Sequence, residues 1–304
     1  MFEEFDEETI QLFKELSEKN PFELLSKYIC PELVGEKWRM IRKSTLLLLV
    51  TEVDLHCRHR LHELLWGDAG TGKTVMLSWI EKNIQGVKIN AEMTSKTGLV
   101  GDARGNSITG GLLHQYDSNI VCIDELDKMN ARDQNGLLQA MEEGEYMIVK
   151  GKKREKFRAE IRAIASANEL EKITKPLLDR FDFIFYLEKP SRSNRAEHTP
   201  NLVKTFLGKN QEQEINILTS YLEWIKDYEP TVRNEKVLEK IIRLIQLYIH
   251  DTHTDIDAIS FRNLEHSILR ISYALAKLEK NNIETKHVKE AIMFKDKMLQ
   301  KLWG

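Results

Sequence analysis

The sequence predicts an α/β fold, in which a parallel sheet lies between helices, followed by a small helical domain. From residue 62 to about residue 187, short stretches with strand character alternate with helical patterns, which is typical of a parallel sheet with crossover helices. Beyond residue 200 the pattern is helical throughout, and glycine becomes rare after Gly151. We therefore expect an α/β domain over residues 1–190 and a linker with a helical domain over residues 191–304.

Two stretches of the second part have their own signatures. Residues 189–200 are polar and bracketed by prolines, which indicates a linker. Further on, apolar residues recur at three- and four-residue spacing, as on one face of a helix. This spacing predicts a buried stripe formed by Phe261, Leu264, Ile268, Ile271, Leu275 and Leu278.

Composition narrows the functional classes. The 304 residues carry a formal net charge of −3, so nucleic-acid binding would need a local basic patch rather than bulk charge. Cys30, Cys57 and Cys122 share no CxxC or histidine spacing, so we expect neither a disulfide framework nor a zinc module. The apolar stretch at residues 45–50 is far shorter than the roughly 20 residues that cross a bilayer, and the N-terminus is acidic where a signal peptide would be basic. We expect a cytoplasmic protein without a membrane partner.

Residues 67–74, GDAGTGKT, fit the phosphate-binding pattern GxxxxGK[ST], between an apolar strand and a helix. Glycines let backbone N–H groups close around phosphate oxygens, and the N-terminus of a helix favours anions. Lys73 should reach the β- and γ-phosphates, and the Thr74 hydroxyl should ligate Mg²⁺. The motif predicts a site for ATP and Mg²⁺ formed by Gly67, Asp68, Ala69, Gly70, Thr71, Gly72, Lys73 and Thr74.

A second motif, NIVCIDELDKM, is an apolar strand that ends in Asp124 and Glu125. A P-loop site needs one carboxylate to hold the hydrated metal and another to orient the attacking water. We assign Asp124 to the metal and Glu125 to the water, which predicts hydrolysis and not binding alone. Asp127 and Lys128 are explained as well by a solvated helix start as by a catalytic role.

Three further side chains are candidates for the same chemistry. Asn168 ends another strand and could hydrogen-bond the γ-phosphate or the water, although asparagine at a strand end is often a turn residue. Arg180 precedes a later strand, and Arg262 follows the first member of the stripe. Each arginine is either a surface cation or a group that stabilises charge on a transferring phosphoryl group.

The order of these motifs resembles the AAA+ ATPases, and within them the minichromosome maintenance (MCM) helicases. The likeness covers nearly the whole chain and is carried by PELVGEKWRMIRKSTLLLL, CIDELDKM, LLDRFDFIF and FRNLEHSILRISYALAK. The resemblance implies a AAA+ P-loop NTPase with a C-terminal helical lid, in which Asn168 is sensor 1, Arg180 the arginine finger and Arg262 the sensor 2 arginine. It also implies that both arginines reach a nucleotide on the adjacent subunit, and hence a ring of identical chains, usually a hexamer.

The basic segment VKGKKREKF, residues 149–157, is on composition alone a solvated turn or a surface that contacts an anion. In the resembled family it falls on a hairpin before sensor 1, about residues 145–162, which projects into the channel of the ring. Lys150 lies where that family has a DNA-contacting lysine. A ring of such tips would concentrate positive charge, so we expect DNA as partner, single-stranded DNA favoured, and a nucleoid-associated location, with contacts from Lys150, Lys152, Lys153 and Arg154.

The chain departs from the family pattern in several places. Residues 98–111 are shorter than the family's helix 2 insert, so we expect a reduced second hairpin. Ala69 and Thr74 stand where proline and serine are common, and threonine offers the same ligand oxygen. We expect no counterpart of the family's N-terminal tier or winged helix in the 304 residues, so unwinding would need a separate DNA-binding or loading partner.

We therefore expect an ATP-dependent DNA motor, an MCM-like helicase ATPase. Two alternatives stay open, a AAA+ protein-remodelling ATPase and an ATP-binding scaffold subunit of a mixed ring. Aromatic or apolar hairpin tips would favour remodelling, and KGKKREK is basic. The intact Asp124–Glu125 pair argues against a scaffold.

Overall fold

The computed structural model describes residues 5–51, 59–102, 107–206, 212–252 and 259–303. Five of its strands form a parallel sheet in the order β2-β5-β8-β1-β9, and β3-β4 and β6-β7 form two antiparallel pairs. The strands are β1 (Glu63–Gly67), β2 (Val87–Asn90), β3 (Gly101–Asp102), β4 (Thr109–Gly110), β5 (Ile120–Asp124), β6 (Glu145–Lys150), β7 (Lys153–Arg158), β8 (Arg162–Ala167) and β9 (Phe183–Leu187).

Helices surround this sheet and make up the C-terminal part. A π-helical turn, Arg262–His266, directly precedes α12. The α-helices are α1 (Glu7–Glu18), α2 (Pro21–Leu25), α3 (Glu36–Val50), α4 (Lys73–Asn83), α5 (Lys96–Leu99), α6 (Leu112–Gln115), α7 (Ala131–Glu143), α8 (Lys175–Leu178), α9 (Arg192–Phe206), α10 (Glu212–Ile225), α11 (Glu235–Asp251), α12 (Ser267–Leu278) and α13 (Thr285–Trp303).

The central strands are apolar because both faces of the sheet are covered. Every residue of β5 and of β8 is buried, as expected for parallel strands between two layers of helices. Because β1, β5 and β8 are parallel neighbours, their carboxyl ends lie at the same edge of the sheet. The predicted α/β fold is confirmed, and this edge is where its functional residues gather.

One hydrophobic core joins the N-terminal helices to the C-terminal ones. The ring of Phe13 in α1 packs edge-on against Tyr221 of α10, with centroids 5.5 Å apart. Phe22 of α2 and Phe183 of β9 both contact Phe294 of α13. The hydrophobic packing therefore continues across residue 190, where the domain boundary is predicted.

The segment predicted as a linker, residues 189–200, is helical over most of its length, since α9 begins at Arg192 and contains Pro200. Proline indicates a break through its missing N–H, but other contacts hold this helix. Arg195 Nε donates to the carbonyl of Pro190, and Asn201 Nδ2 donates to that of Pro31, which lies 170 residues earlier. The polar composition and the prolines of this segment did not indicate the helix.

The predicted stripe is buried except at its first member. Leu264, Ile268 and Ile271 are buried, as are Leu275 and Leu278, whereas Phe261 is 76% exposed. The reason is the π turn at Arg262–His266, which inserts a residue and rotates the preceding side chain by roughly 100° off the helical face. Phe261 is thus a surface residue.

Three further predictions concern the cysteines, the second hairpin and membrane-spanning helices. Cys30 and Cys122 are buried and not joined in a disulfide, and Cys57 lies outside the described residues. The β3–β4 pair has two residues in each strand, and residues 103–106 between them also lie outside the described part. Among the helices described, none combines the length and apolar character of a membrane span.

Candidate nucleotide site and nucleic-acid interface

The phosphate-binding loop connects β1 to α4 and requires glycine at its ends. Gly67 has φ 124°, and a Cβ there would lie 2.3 Å from the carbonyl oxygen of Leu187 in β9. Gly72 has φ 102°, and its Cβ would lie 2.8 Å from the side chain of Leu33. Since only glycine tolerates both the left-handed conformation and the close approach, these two positions fix the path of the loop.

Lys73 and Thr74 open α4 with their side chains turned toward the sheet edge. Lys73 is buried, and its Nζ donates to the carbonyl oxygens of Gly67 at 2.7 Å and Asp68 at 2.6 Å. Burial lowers the pKa of Lys73, while the charge of Asp127 and other carboxylates opposes that shift. The ammonium is therefore held directly over the loop that would cradle phosphates.

Asp124 and Glu125 lie at the carboxyl end of β5, and Ser166 of β8 connects them. The Ser166 hydroxyl donates to Asp124 Oδ1 at 2.6 Å and accepts from the Glu125 N–H at 2.9 Å. Glu125 adopts a left-handed backbone, φ 58° and ψ 48°, which is costly outside glycine. Asn90 Nδ2 donates to Glu125 Oε2 at 3.4 Å, so both carboxylates are held by neighbouring strands.

The oxygen donors at this edge fit Mg²⁺. Thr74 Oγ1 donates to Asp124 Oδ1 at 3.2 Å, which brings a hydroxyl and a carboxylate together at the start of α4. Mg²⁺ takes hard oxygen ligands, usually one or two from protein, with the remainder from water and phosphate. Thr74 and Asp124 would hold it in that way.

A cleft of about 1150 Å³ brings the predicted site residues together. Residues 69–74 line it with Asp124, Glu125 and Asn168, and residues 33–38 and α9 form further walls. The Asn168 N–H donates to Asp127 Oδ1 at 3.2 Å. Asp127 is buried, so it supports the backbone of Asn168 and is not part of a solvated helix start. Lys128 is exposed.

Arg180 and Arg262 line a different cavity, of about 670 Å³, which shares no lining residue with the first. Arg180 forms an ion pair with Glu142 at 3.1 Å, and Arg262 Nη2 donates to the carbonyl of Arg180 at 2.8 Å. Burial lowers the pKa of Arg262 to about 10, against the opposing charge of Asp182. The family resemblance implied that both arginines act on the nucleotide of an adjacent subunit, whereas the motifs alone gave no distance between them and the cleft of their own chain.

Both arginines are fixed to each other through the segment 179–182. The Asp179 carboxylate accepts from the Ser260 hydroxyl and from Asn263 Nδ2, which places the π turn against it. The Asp182 carboxylate pairs with Arg270 of α12. Residues 179–182 are therefore attached to the π turn and to the first turn of α12.

The basic segment forms the tip of the β6–β7 hairpin. Lys150 pairs with Lys153 in register, and Gly151 makes the turn with φ 57°, as tight hairpins prefer. Tyr146 and Phe157 pair at the buried base of the hairpin and stack with ring centroids 5.6 Å apart. The tip is exposed and carries the four predicted contact residues, Lys150, Lys152, Lys153 and Arg154.

Comparison with known proteins settles the family. The MCM P-loop domain matches residues 7–205, which is more than half of the chain. The chain belongs to the MCM family. The match confirms the family predicted from the motif order and the AAA+ P-loop fold that goes with it.

Several MCM proteins are similar to this chain. The DNA replication licensing factor mcm7 of Schizosaccharomyces pombe is 29% identical over 90% of this chain and 41% of its own length. The licensing factor MCM3 of Entamoeba histolytica is 30% identical over 71% of this chain and 40% of its own length. The licensing factor mcm6 of Dictyostelium discoideum is 26% identical over 95% of this chain and 37% of its own length. The chain spans less than half the length of these relatives.

Sequence reasoning missed three polar residues of this MCM site. Ser166, Lys88 and Asn90 all contact the Asp124–Glu125 pair. Their sequence signal is partial: Ser166 lies two residues before Asn168, and Lys88 lies two residues before Asn90, so each pair is spaced for one face of a strand. Without the sheet order, however, the neighbouring strand is unknown.

Proposed function

We propose that this MCM chain is the ATPase motor of a ring that moves along single-stranded DNA. The observation that carries the proposal is the separation of Arg180 and Arg262 from the nucleotide cleft of their own chain. A guanidinium that serves phosphoryl transfer must reach the phosphate. These arginines would therefore serve the cleft of a neighbouring subunit, and a closed ring gives every cleft such a neighbour.

Within one chain, each residue of the cleft has a distinct task. The N–H groups of residues 67–72 would close around the phosphates, and Lys73 would exchange a loop carbonyl for a phosphate oxygen. Bound Mg²⁺ would neutralise phosphate charge, held by Thr74 and Asp124. Glu125 would orient the attacking water, and Asn168 would bind the γ-phosphate or that water from the end of β8.

The β6–β7 hairpin would be the part that contacts DNA. Its tip concentrates positive charge in a chain of net charge −3, so the attraction to phosphates is local. Phosphate contacts carry no sequence information, which suits movement along any strand. Unwinding is proposed only together with a further DNA-binding or loading partner.

The proposed ring could contain identical chains or a mixture of different MCM chains. The relatives are different licensing factors, mcm7, mcm6 and MCM3, and give no support for a ring of identical chains over a mixed one. We propose a ring without fixing its composition. The mass of the purified single chain with nucleotide, measured by light scattering, decides between the two.

The substitution Glu125→Gln tests hydrolysis. It keeps the shape of the side chain and removes the base, so we expect nucleotide affinity to change by less than about twofold and turnover to fall on the order of 100-fold or more. Glu229→Gln, on an exposed residue, is the matched control. Turnover that persists in Glu125→Gln assigns the base to another residue.

Neutralising the hairpin tests the substrate. Lys150→Ala, Lys152→Ala and Lys153→Ala together should weaken single-stranded DNA binding and flatten its salt dependence by about 0.7 in slope per lost contact. The control removes three exposed charges of α11, with Lys236→Ala, Lys240→Ala and Arg243→Ala. If both triple variants bind single-stranded DNA with the same affinity and the same salt slope, the hairpin tip does not contact DNA and is a solvated turn.

One observation favours protein remodelling as a second function. Met147 and Val149, on the same hairpin, are 45% and 56% exposed and would suit an apolar peptide. If the neutralised hairpin keeps its DNA affinity while Met147→Ser with Val149→Ser loses ATPase stimulation by an unfolded protein, remodelling replaces DNA movement as the function.

A further inference from the structure

Lys88 lies beside the predicted metal ligand. It belongs to β2, the edge strand of the sheet, and its Nζ is 3.3 Å from Asp124 Oδ2. The same ammonium donates to the Ser78 hydroxyl of α4 at 3.0 Å. The side chains of Lys88 and Asp124 are only 20% and 10% exposed, so solvent screens their attraction weakly.

The contacts of Asp124 divide between its two oxygens. Oδ1 accepts from Thr74 and Ser166, which are neutral hydroxyls, and Oδ2 faces the cation. The carboxylate that would hold Mg²⁺ thus carries an internal counter-ion already. The lysine that would serve the phosphates is Lys73, so the proposed function leaves Lys88 without a task.

We propose that Lys88 competes with Mg²⁺ for Asp124 and so sets how strongly nucleotide binding depends on the metal. A dication held by Asp124 would be repelled by the Lys88 ammonium, which lies 3.3 Å from Asp124 Oδ2, and this repulsion would weaken binding of the metal complex. Without metal, the ammonium neutralises Asp124, which would otherwise repel the phosphates. The inference rests on the proposed nucleotide site and adds to it a residue that adjusts its metal dependence.

Two opposite shifts follow when the charge of Lys88 is removed. In Lys88→Met the affinity for ADP with excess Mg²⁺ should rise, and the affinity for ADP in EDTA should fall. A partly buried ion pair is worth about fivefold in each direction, so the ratio of the two dissociation constants should change by more than tenfold. Damage to the fold would weaken both affinities together.

The experiment measures binding of a fluorescent anthraniloyl ADP to the whole chain by anisotropy, with MgCl₂ and with EDTA. The control Lys82→Met removes an equal charge from an exposed position of α4 and should change neither constant. Lys88→Gln removes the charge but can still donate to Ser78, and should repeat the shifts if Lys88→Met is unstable. Lys88→Arg keeps the charge and should resemble the unsubstituted chain.

The outcomes separate this inference from the proposed function. Opposite shifts in both neutral variants support it. An unchanged ratio, or parallel weakening in MgCl₂ and EDTA, overturns it while the nucleotide site stands. Absence of ADP binding by the unsubstituted chain in either condition overturns the nucleotide site itself.

Discussion

Glu63 is a carboxyl group buried completely within the central sheet. It opens β1 and accepts hydrogen bonds from the hydroxyls of Ser44 at 3.0 Å and Thr45 at 2.9 Å in α3. Burial raises its pKa from 4.5 to about 8, although both hydroxyls favour the charged form. At neutral pH this side chain is protonated in the folded chain, whereas it is ionised in the unfolded one.

The substitution Glu63→Gln should therefore change how stability depends on pH. Between pH 4.5 and about 8 the folded chain holds a proton that the unfolded chain has released, so the free energy of unfolding falls as pH rises. One such group contributes about 1.4 kcal/mol per pH unit. We expect urea denaturation of Glu63→Gln to lose this slope.

Glu239→Gln, at an exposed position of α11, should keep the slope of the unsubstituted chain. Equal slopes in all three proteins would mean that Glu63 ionises in the folded state.

The π turn is the element on which the second cavity depends. It rotates Phe261 out of the stripe, and its first residue is Arg262. π-Helical turns are uncommon, and many of those known lie at functional sites. The inserted residue changes the direction in which the neighbouring side chains point. Here Asp179 holds the turn through Ser260 and Asn263.

The substitution Asp179→Ala should loosen this attachment. Arg180 and Arg262 would be held less firmly, with the Arg262 bond to the Arg180 carbonyl remaining, so we expect turnover to fall on the order of tenfold. Nucleotide affinity should stay within about twofold, since Asp179 does not line the nucleotide cleft. Steady-state ATPase rates and anisotropy measure the two quantities.

Glu169→Ala is the matched control, because that exposed carboxylate pairs only with nearby Lys172 among the contacts described. A loss of nucleotide affinity in Asp179→Ala equal to the loss of turnover would indicate general damage to the fold. It would not support a role in positioning the arginines.

At the scale of the whole molecule, the proposed function makes each chain incomplete, because Arg180 and Arg262 would serve the cleft of a neighbouring chain. In that proposal a chain with Glu125→Gln would lack its base but still offer Arg180, and a chain with Arg180→Ala would have the reverse defect. Mixing these inactive variants in equal amounts should restore activity, because about a quarter of the interfaces then combine an intact base with an intact arginine.

The control mixes Glu125→Gln with Lys73→Ala, two defects within the same cleft, and should restore nothing. Equal recovery in both mixtures, or none in the first, would contradict a site shared between chains. ATP turnover at protein concentrations high enough for assembly is the measurement.

The sequence by itself determined the α/β class, the phosphate-binding loop and the Asp124–Glu125 pair. These features are local, since a strand, a glycine-rich turn and a helix start are each encoded within a few residues. The hairpin was expected from the family resemblance, since composition alone left residues 149–157 open between a solvated turn and an anion-contacting surface.

Only the tertiary structure decided which residues share a cavity. Ser166 and Lys88 reach Asp124 through the sheet order, and Arg180 and Arg262 line a separate cavity through the packing of the π turn against residues 179–182. It also decided that residues 192–206 are helical and that Phe261 is exposed. The physical reason is that strand order, long-range hydrogen bonds and one inserted helical residue depend on contacts between distant segments, which the pattern along a single chain does not contain.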